Sequence, residues 1–167
     1  MVKPTLSFSE ALNASTSKIF DCKGRSRRSE FWWSYLAAFV LSAVLPFLSP
    51  LLMLATIPLT IRRLHDTGRS GWWWGVGALL NVGIFIMVFF GLVSSFFYTS
   101  NVYEYGNDEF NNMAYENMSF MVKFFVYLAI IYIYRIVLIV FCCQDSEFFE
   151  NKYGPSPKYS EEGLGDL

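Results

Sequence analysis

The chain has 167 residues, of which 54% are hydrophobic and 19% aromatic but only 16% charged, a balance that would leave far too much apolar surface in water and that reads as a membrane protein. Its formal net charge of −1 excludes little, because orientation in a bilayer follows where Lys and Arg sit rather than their sum. Three cysteines, Cys22, Cys142 and Cys143, show no Cys-x-x-Cys spacing and argue against a disulfide framework or a zinc site, and residues 1–30 hold no apolar core of signal-peptide length, so the first span is expected to act as the targeting signal.

Residues 1–23 are expected to form a short amphipathic helix and a linker. Ser7-Phe8-Ser9-Glu10 has capping-box spacing, and Phe8, Leu12, Ile19 and Phe20 recur on one side, which would lay the segment in the headgroup plane. Next come Lys23, Arg25, Arg27 and Arg28, running directly into Trp32 and Trp33. A basic cluster this close to a span marks the cytoplasmic side, and the two indoles serve as interface anchors; nucleic acid is not an expected partner.

From Phe31 to Ile61 there are 31 residues without a charge, more than the roughly 20 of one helical crossing and fewer than two full ones. Either one long tilted helix or a hairpin turning near Pro46 to Pro50 would account for it. Loop charge decides. Residues 98 to 119 carry Glu104, Asp108, Glu109 and Glu116 but no Lys or Arg, whereas Arg62, Arg63 and Arg69 follow Ile61. A hairpin places both basic clusters in the cytoplasm and the acidic loop outside, so short spans over about 31–47 and 48–64 are expected.

The stretch Arg62-Arg63-Leu64-His65-Asp66-Thr67-Gly68-Arg69-Ser70-Gly71 then reads as a polar turn at the membrane surface. Helix is expected to stop at Leu64, Ser70 to cap the next helix, and Trp72, Trp73 and Trp74 to lie at interface depth. Spans over 71–97 and 119–143 follow, separated by an external acidic loop at 98–118. Lys123 is placed to snorkel, and Arg135, an intramembrane charge about two turns from the inner end, is expected to snorkel or to pair with Asp66 or Glu30. Cys142 and Cys143 close the last span as small apolar residues. The domain plan is a 1–23 N-terminal segment, a 24–157 helical membrane domain and a disordered tail at 158–167.

Three motifs together carry a resemblance. Gly24-Arg25 with Arg28, Glu30, Phe31 and Trp32, then Arg62 to Trp73, then Asn151-Lys152-Tyr153-Gly154 with Pro157, resemble the signatures of the domain of unknown function 805 family of small bacterial inner-membrane proteins, over about residues 8 to 157. The resemblance implies an all-α membrane protein of the bacterial inner membrane in which the first two spans form a hairpin before the Arg-Arg-Leu-His-Asp turn. With the N-terminal amphipathic helix this gives four transmembrane helices and cytoplasmic termini. An extra span with its acidic loop, 98–143, stands where a shorter connection is implied, which raises the question whether Asn151 to Pro157 packs on the central turn.

Chemistry at the turn looks sparse. His65 and Asp66 are adjacent, no nucleophile is tied to them by spacing, and one histidine assembles neither a zinc nor a haem site, so no catalytic residue, metal or other cofactor is expected. Arg25, Arg28, Arg62, Arg63 and Arg69, with His65 and Asp66, are instead expected to form a face for anionic phospholipid headgroups or a protein partner. A homo-oligomeric transporter or channel component is the alternative, followed by a membrane enzyme acting on a lipid or phosphate ester with His65 and Asp66 as its acid/base groups.

Overall fold

The computed structural model describes residues 2–101 and 107–159; Glu104 and the tail from residue 160, both part of the expectations above, lie outside them. Among the described residues every extended element is helical: α1 (Phe8–Thr16), α2 (Arg28–Val44), α3 (Ser49–Asp66), α4 (Trp72–Asn101) and α5 (Asn107–Cys143), with a 3-10 turn at Pro46–Leu48. Two compact units result, one of residues 1–74 with 138–167 and the other Gly75–Val137.

In the first unit the capping box forms: Ser7 N–H donates to Glu10 Oε2 (2.8 Å) and Glu10 N–H to Ser7 Oγ (3.4 Å). The helix then ends earlier than its apolar pattern suggests. The Thr16 hydroxyl donates back to Leu12 O and the Ser17 hydroxyl to Ala14 O, local bonds of the kind that make a Ser/Thr run a poor helix interior. Ile19 and Phe20 therefore fall beyond the amphipathic helix, and Phe20 is 93% exposed. What α1 buries is Ala11, whose carbonyl accepts from Ser34 of α2 (3.4 Å), while Phe8 meets Trp33 edge to face at 5.7 Å.

The expected hairpin is present. Leu45, preceding a proline, leaves helical geometry (φ −124°, ψ 76°); Pro46 opens the 3-10 turn, and Pro50 sits in the first turn of α3, where a missing N–H breaks no bond. Glu30 near the start of α2 pairs with Arg62 near the end of α3 at 3.3 Å, so the two helices run antiparallel. Phe31, Leu59 and Cys142 bury one another between them and the end of α5.

Helix α3 runs on past Leu64 to Asp66 and closes in a Schellman motif: Arg69 N–H donates to Leu64 O (2.9 Å), Gly68 N–H to His65 O (3.1 Å), and Gly68 takes the left-handed conformation at φ +71°. Ser70 Oγ accepts from Trp72 N–H at 3.3 Å, the capping contact expected there. Among the described residues three stretches are long and apolar enough to cross a membrane, Pro46–Asp66, Trp72–Phe97 and Tyr115–Cys143. Helix α2 has 17 residues.

In the second unit α4 and α5 pack at two glycines. Gly83 admits Tyr127, whose hydroxyl donates to Leu80 O at 3.0 Å, and Gly91 faces the Phe120 ring. The loop expected at 98–118 is shorter than that, because α4 continues to Asn101 and α5 starts at Asn107. Residues 107–143 contain neither glycine nor proline, so nothing breaks the helix there.

Candidate functional site: a buried arginine clamp

Four charged residues at the open end of the hairpin are turned inward. Arg62 and Arg63 are 1% and 0% exposed, Asp66 0%, and Arg25 8%. Helical spacing puts Arg63 and Asp66 on the same face, one turn apart, and their side chains pair. Gly24, at φ +80°, turns the chain before α2 so that Arg25 reaches the same carboxylate, Nε to Oδ1 3.0 Å. The Ser146 hydroxyl donates to the second oxygen. Asp66 thus accepts from two guanidiniums and a hydroxyl, as a buried carboxylate must to stay ionised.

Most of the remaining donors go to backbone carbonyls of this chain, while Arg62 Nε is buried without a partner among the described residues. Arg25 Nη1 donates to Phe149 O (2.9 Å) and Gly154 O (3.2 Å), and Nη2 to Glu147 O (2.7 Å) and Asp66 O (3.3 Å). Arg63 donates to Cys142 O (3.0 Å), Ser26 O (3.2 Å) and Gln144 O. Arg62 donates to Lys18 O and Asp21 O as well as to Glu30. Carbonyls at a helix C-terminus lack partners within the helix, and at the end of α5 Arg63 supplies one for Cys142 and Arg28 one for Cys143 (3.4 Å).

The Asn151-Lys152-Tyr153-Gly154 element packs onto the central turn. Tyr153 stacks flat on His65, ring centres 3.7 Å apart and planes 5° apart, while His65 Nδ1 lies 3.2 Å from Gly24 O. Asn151 donates to His65 O (3.0 Å) and to Glu147 Oε2 (2.7 Å), and Glu147 N–H donates to Asp66 O (3.1 Å). The left-handed backbone at residue 68 favours glycine, and a Cβ there would also push the Glu147 carboxylate aside. Around this, Arg27 donates to Lys3 O (3.3 Å), and Lys3 N–H to Lys158 O (2.9 Å). The segment expected to be disordered from residue 158 is therefore anchored through Lys158 and Tyr159, the latter bridging to Val2. The Lys158 hydrogen bond holds the Asp145 carboxyl below the usual aspartate range, and Asp145 in turn raises Lys158. Glu10 is likewise lowered, chiefly by the Ser7 N–H.

The expected anion-receiving face is thereby redrawn. Arg25, Arg62, Arg63 and Asp66 converge, but on one another and on the backbone, and an incoming anion would have to displace Asp66 or those carbonyls. Arg28 stays at the surface, its side chain 47% exposed beside Asp145 (3.2 Å). Arg69 is partly exposed, with its guanidinium 3.9 Å over the Phe141 ring. Trp32, Trp33, Trp72 and Trp73 are exposed at the starts of α2 and α4, and Trp74 is half-buried. Arg135 pairs with neither Asp66 nor Glu30, whose oxygens are taken by Arg25, Arg63 and Arg62; it donates to Asn81 instead (3.2 Å). Arg27, Asn81, Ser146 and Glu147 were not anticipated, and only the Asn-Lys-Tyr-Gly motif pointed toward the C-terminal partners.

A family profile described as "Protein of unknown function (DUF805)" matches residues 41–155. Two relatives, both called Inner membrane protein YhaI, from Escherichia coli strain K12 and from Escherichia coli O157:H7, are each 41% identical over 100 residues, covering 51% of this chain and 82% of theirs. No solved structure matches the chain.

Proposed function

The chain belongs to the DUF805 family and is a multi-pass inner-membrane protein; on that premise we propose that it is a non-enzymatic membrane module whose cytoplasmic arginine-rich face rests on anionic phospholipid headgroups. In this reading α2 and α3 both cross, giving four crossings with both termini cytoplasmic. The observation that carries it is the set of exposed cations left around the clamp: Asp66, Arg25 and Arg63 bind residues 142–154 to the hairpin's open end and are themselves closed to an anion, so the headgroup contact falls to the cations outside it. Acid/base chemistry has little to work with, since Asp66 already accepts three donors and His65 lies flat on Tyr153. Outside the clamp stand Arg28, Lys18, Lys23 and Lys152, all exposed, beside Phe20 at 93% and Phe149 at 67% exposure. Cations mixed with exposed aromatics suit the headgroup layer, where each Lys or Arg gains about 1 kcal/mol from anionic lipid.

Reconstitution into bilayers of mixed phosphatidylglycerol and phosphatidylcholine tests this. Surface contacts are screened by salt, so the preference of the lipid shell for spin-labelled phosphatidylglycerol should fall as salt rises and fall further in Arg28→Glu; a preference indifferent to both overturns the reading. Sidedness has its own test. A membrane-impermeant thiol reagent should miss Cys22 and Cys143 in intact cells and reach a cysteine placed at Asn107, and the opposite pattern sinks the proposed orientation.

A further inference from the structure

The second unit holds a charge for which the arginine clamp has no use. Arg135 is exposed on α5 within a stretch long and apolar enough to cross the bilayer, and among the described residues no carboxylate pairs with it. Its one hydrogen-bond partner among the described residues is Asn81 of α4. The Asn81 side-chain amide donates to Gly77 O at 2.6 Å, which fixes its oxygen toward Arg135 at 3.2 Å. A neutral amide orients a guanidinium without neutralising it, and an uncompensated Arg in the hydrocarbon region is costly. Among the described residues the remaining N–H groups meet no other hydrogen-bond partner, which leaves them for an anion.

The surroundings say which kind. Leu128, Ile131, Tyr132 and Arg135 recur at three and four residues along one face of α5, Asn81 and Ile84 along α4, and together they border an open recess of about 550 Å³. Its polar end, Asn81 with Arg135, lies toward the start of α4 and the end of α5; its apolar end, Ile84 with Leu128, lies toward their middles. Arg135 is eight residues before Cys143, ~12 Å along a regular helix. A charged group at the shallow end and hydrocarbon walls below it follow the order of a lipid entering from the leaflet beside Trp72 and Cys143.

We propose that Arg135 and Asn81 form an intramembrane subsite for one anionic phospholipid, its phosphate on the Arg135 guanidinium and an acyl chain along Leu128, Ile131 and Ile84. A planar guanidinium matches a phosphate with two parallel hydrogen bonds. This site differs from the headgroup contact proposed above in lying within the stretch Tyr115–Cys143, where surrounding hydrocarbon would keep salt from it.

Native mass spectrometry of the full chain, released from nanodiscs of equal phosphatidylglycerol and phosphatidylcholine, tests it. One phosphatidylglycerol per chain should be retained at about tenfold over phosphatidylcholine, undiminished at high salt and unaffected by Arg28→Glu. That preference should vanish in Arg135→Leu and weaken in Arg135→Lys. Leu128→Trp, which fills the recess and spares the charge, should also abolish retention. Protection of Cys142 from thiol reagents reports that each variant is folded. Equal retention of the two lipids, phosphatidylglycerol still held by folded Arg135→Leu or Leu128→Trp, displacement by oleate or inorganic phosphate, or a second copy of the chain retained in place of lipid would each overturn the assignment.

Discussion

Asp66→Ala should release the C-terminal segment from the hairpin. In the folded chain the carboxylate accepts from Arg25, Arg63 and Ser146, and Arg63 and Asp66 are both fully buried. Three charge-assisted hydrogen bonds at about 1.5–3 kcal/mol each set a ceiling that non-additivity brings down, and breaking a buried ion pair from one side costs about 3–5 kcal/mol because the partner charge is left stranded. A loss of about 4 kcal/mol is expected, or about 700-fold at 1.4 kcal/mol per decade. Cys142 reports it: its residue is 3% exposed and packs on Phe31 and Leu59, so a thiol reagent reaches it only when the end of α5 lifts. With the exposed Cys22 and Cys143 replaced by serine, the labelling rate of Cys142 should rise by hundreds of fold in Asp66→Ala. In Arg28→Leu, which removes only an exposed ion pair, it should rise less than about fivefold. A rate in Asp66→Ala within about threefold of the parent would refute the clamp. A companion variant asks what kind of clamp it is. Buried ion triads are often replaced by apolar residues at no loss, but Arg25→Met with Arg63→Met and Asp66→Leu would also take the guanidinium donors from the carbonyls of Ser26, Cys142, Gln144, Glu147 and Phe149. No rescue is expected, and a triple variant labelled at the parental rate would reduce the cluster to charge neutralisation.

Arg62→Lys keeps the charge but cannot serve Lys18 O, Asp21 O and Glu30 together, so trypsin should cut the linker at Lys18 and Lys23 several-fold faster; an unchanged digest counts against that role. Gly68→Ala must adopt a left-handed backbone, at about 1–2 kcal/mol, and push Glu147 away from Asn151, whereas Gly24→Ala has open space and bears only the backbone term; Cys142 labelling should rank the first clearly above the second. For Asp145, the folded chain binds its proton less readily than the unfolded one because Lys158 hydrogen-bonds the carboxylate. Its contribution is therefore complete at neutral pH and is lost as pH falls from the ordinary value of 3.8 through the lower folded one. The side chain is 46% exposed, so the effect is under about 1 kcal/mol. Hydrogen exchange at the Lys3 amide, bonded to Lys158 O, should be faster in Asp145→Asn than in the parent at pH 7, and the two should converge in acid; a constant gap would refute the linkage.

Local signals in the sequence were read correctly where the chain answers to itself. Ser7 with Glu10, Pro46 with Pro50, and Ser70 ahead of Trp72 each act on residues within four positions, and each does in the fold what its chemistry implies. The arginines are legible as a group, and so is Asp66 as the acceptor among them, which takes Arg63 and Arg25; their backbone targets are not. A guanidinium that seeks a carboxylate leaves a trace in the sequence, as Asp66 did; one that seeks Phe149 O or Gly154 O leaves none, since every residue carries a carbonyl. Asn81 was passed over for a related reason. It is uncharged, and α4 read as an uninterrupted apolar span, yet at this spacing its amide is what meets Arg135. The charge of the acidic stretch beyond residue 98 suggests loop, yet from Asn107 onward, past Gly106, a run without glycine or proline keeps its helix through polar residues as readily as through apolar ones.

The clamp also bears on how often the chain crosses. Arg25 and Ser26 precede the hairpin, Arg62, Arg63 and Asp66 follow it, and Cys142 to Gly154 follow α5, yet all of them hydrogen-bond in one cluster. Any two segments that share a buried network share an aqueous side. The number of crossings between Ser26 and Arg62 must then be even, and so must the number between Asp66 and Cys142. In the proposed topology the stretch Pro46–Asp66, 21 residues long, crosses, and parity then asks α2 to cross with it, although its 17 residues span only ~25 Å against a hydrocarbon thickness of ~30 Å. A short hairpin ending in an apolar turn, with Phe47 75% exposed, gains no polar anchor at its closed end. In the proposed topology its hold on the interface would come from the open end, where Trp32 and Trp33 are exposed beside the arginines, and with one crossing too few the guanidiniums and their carbonyls would face opposite compartments.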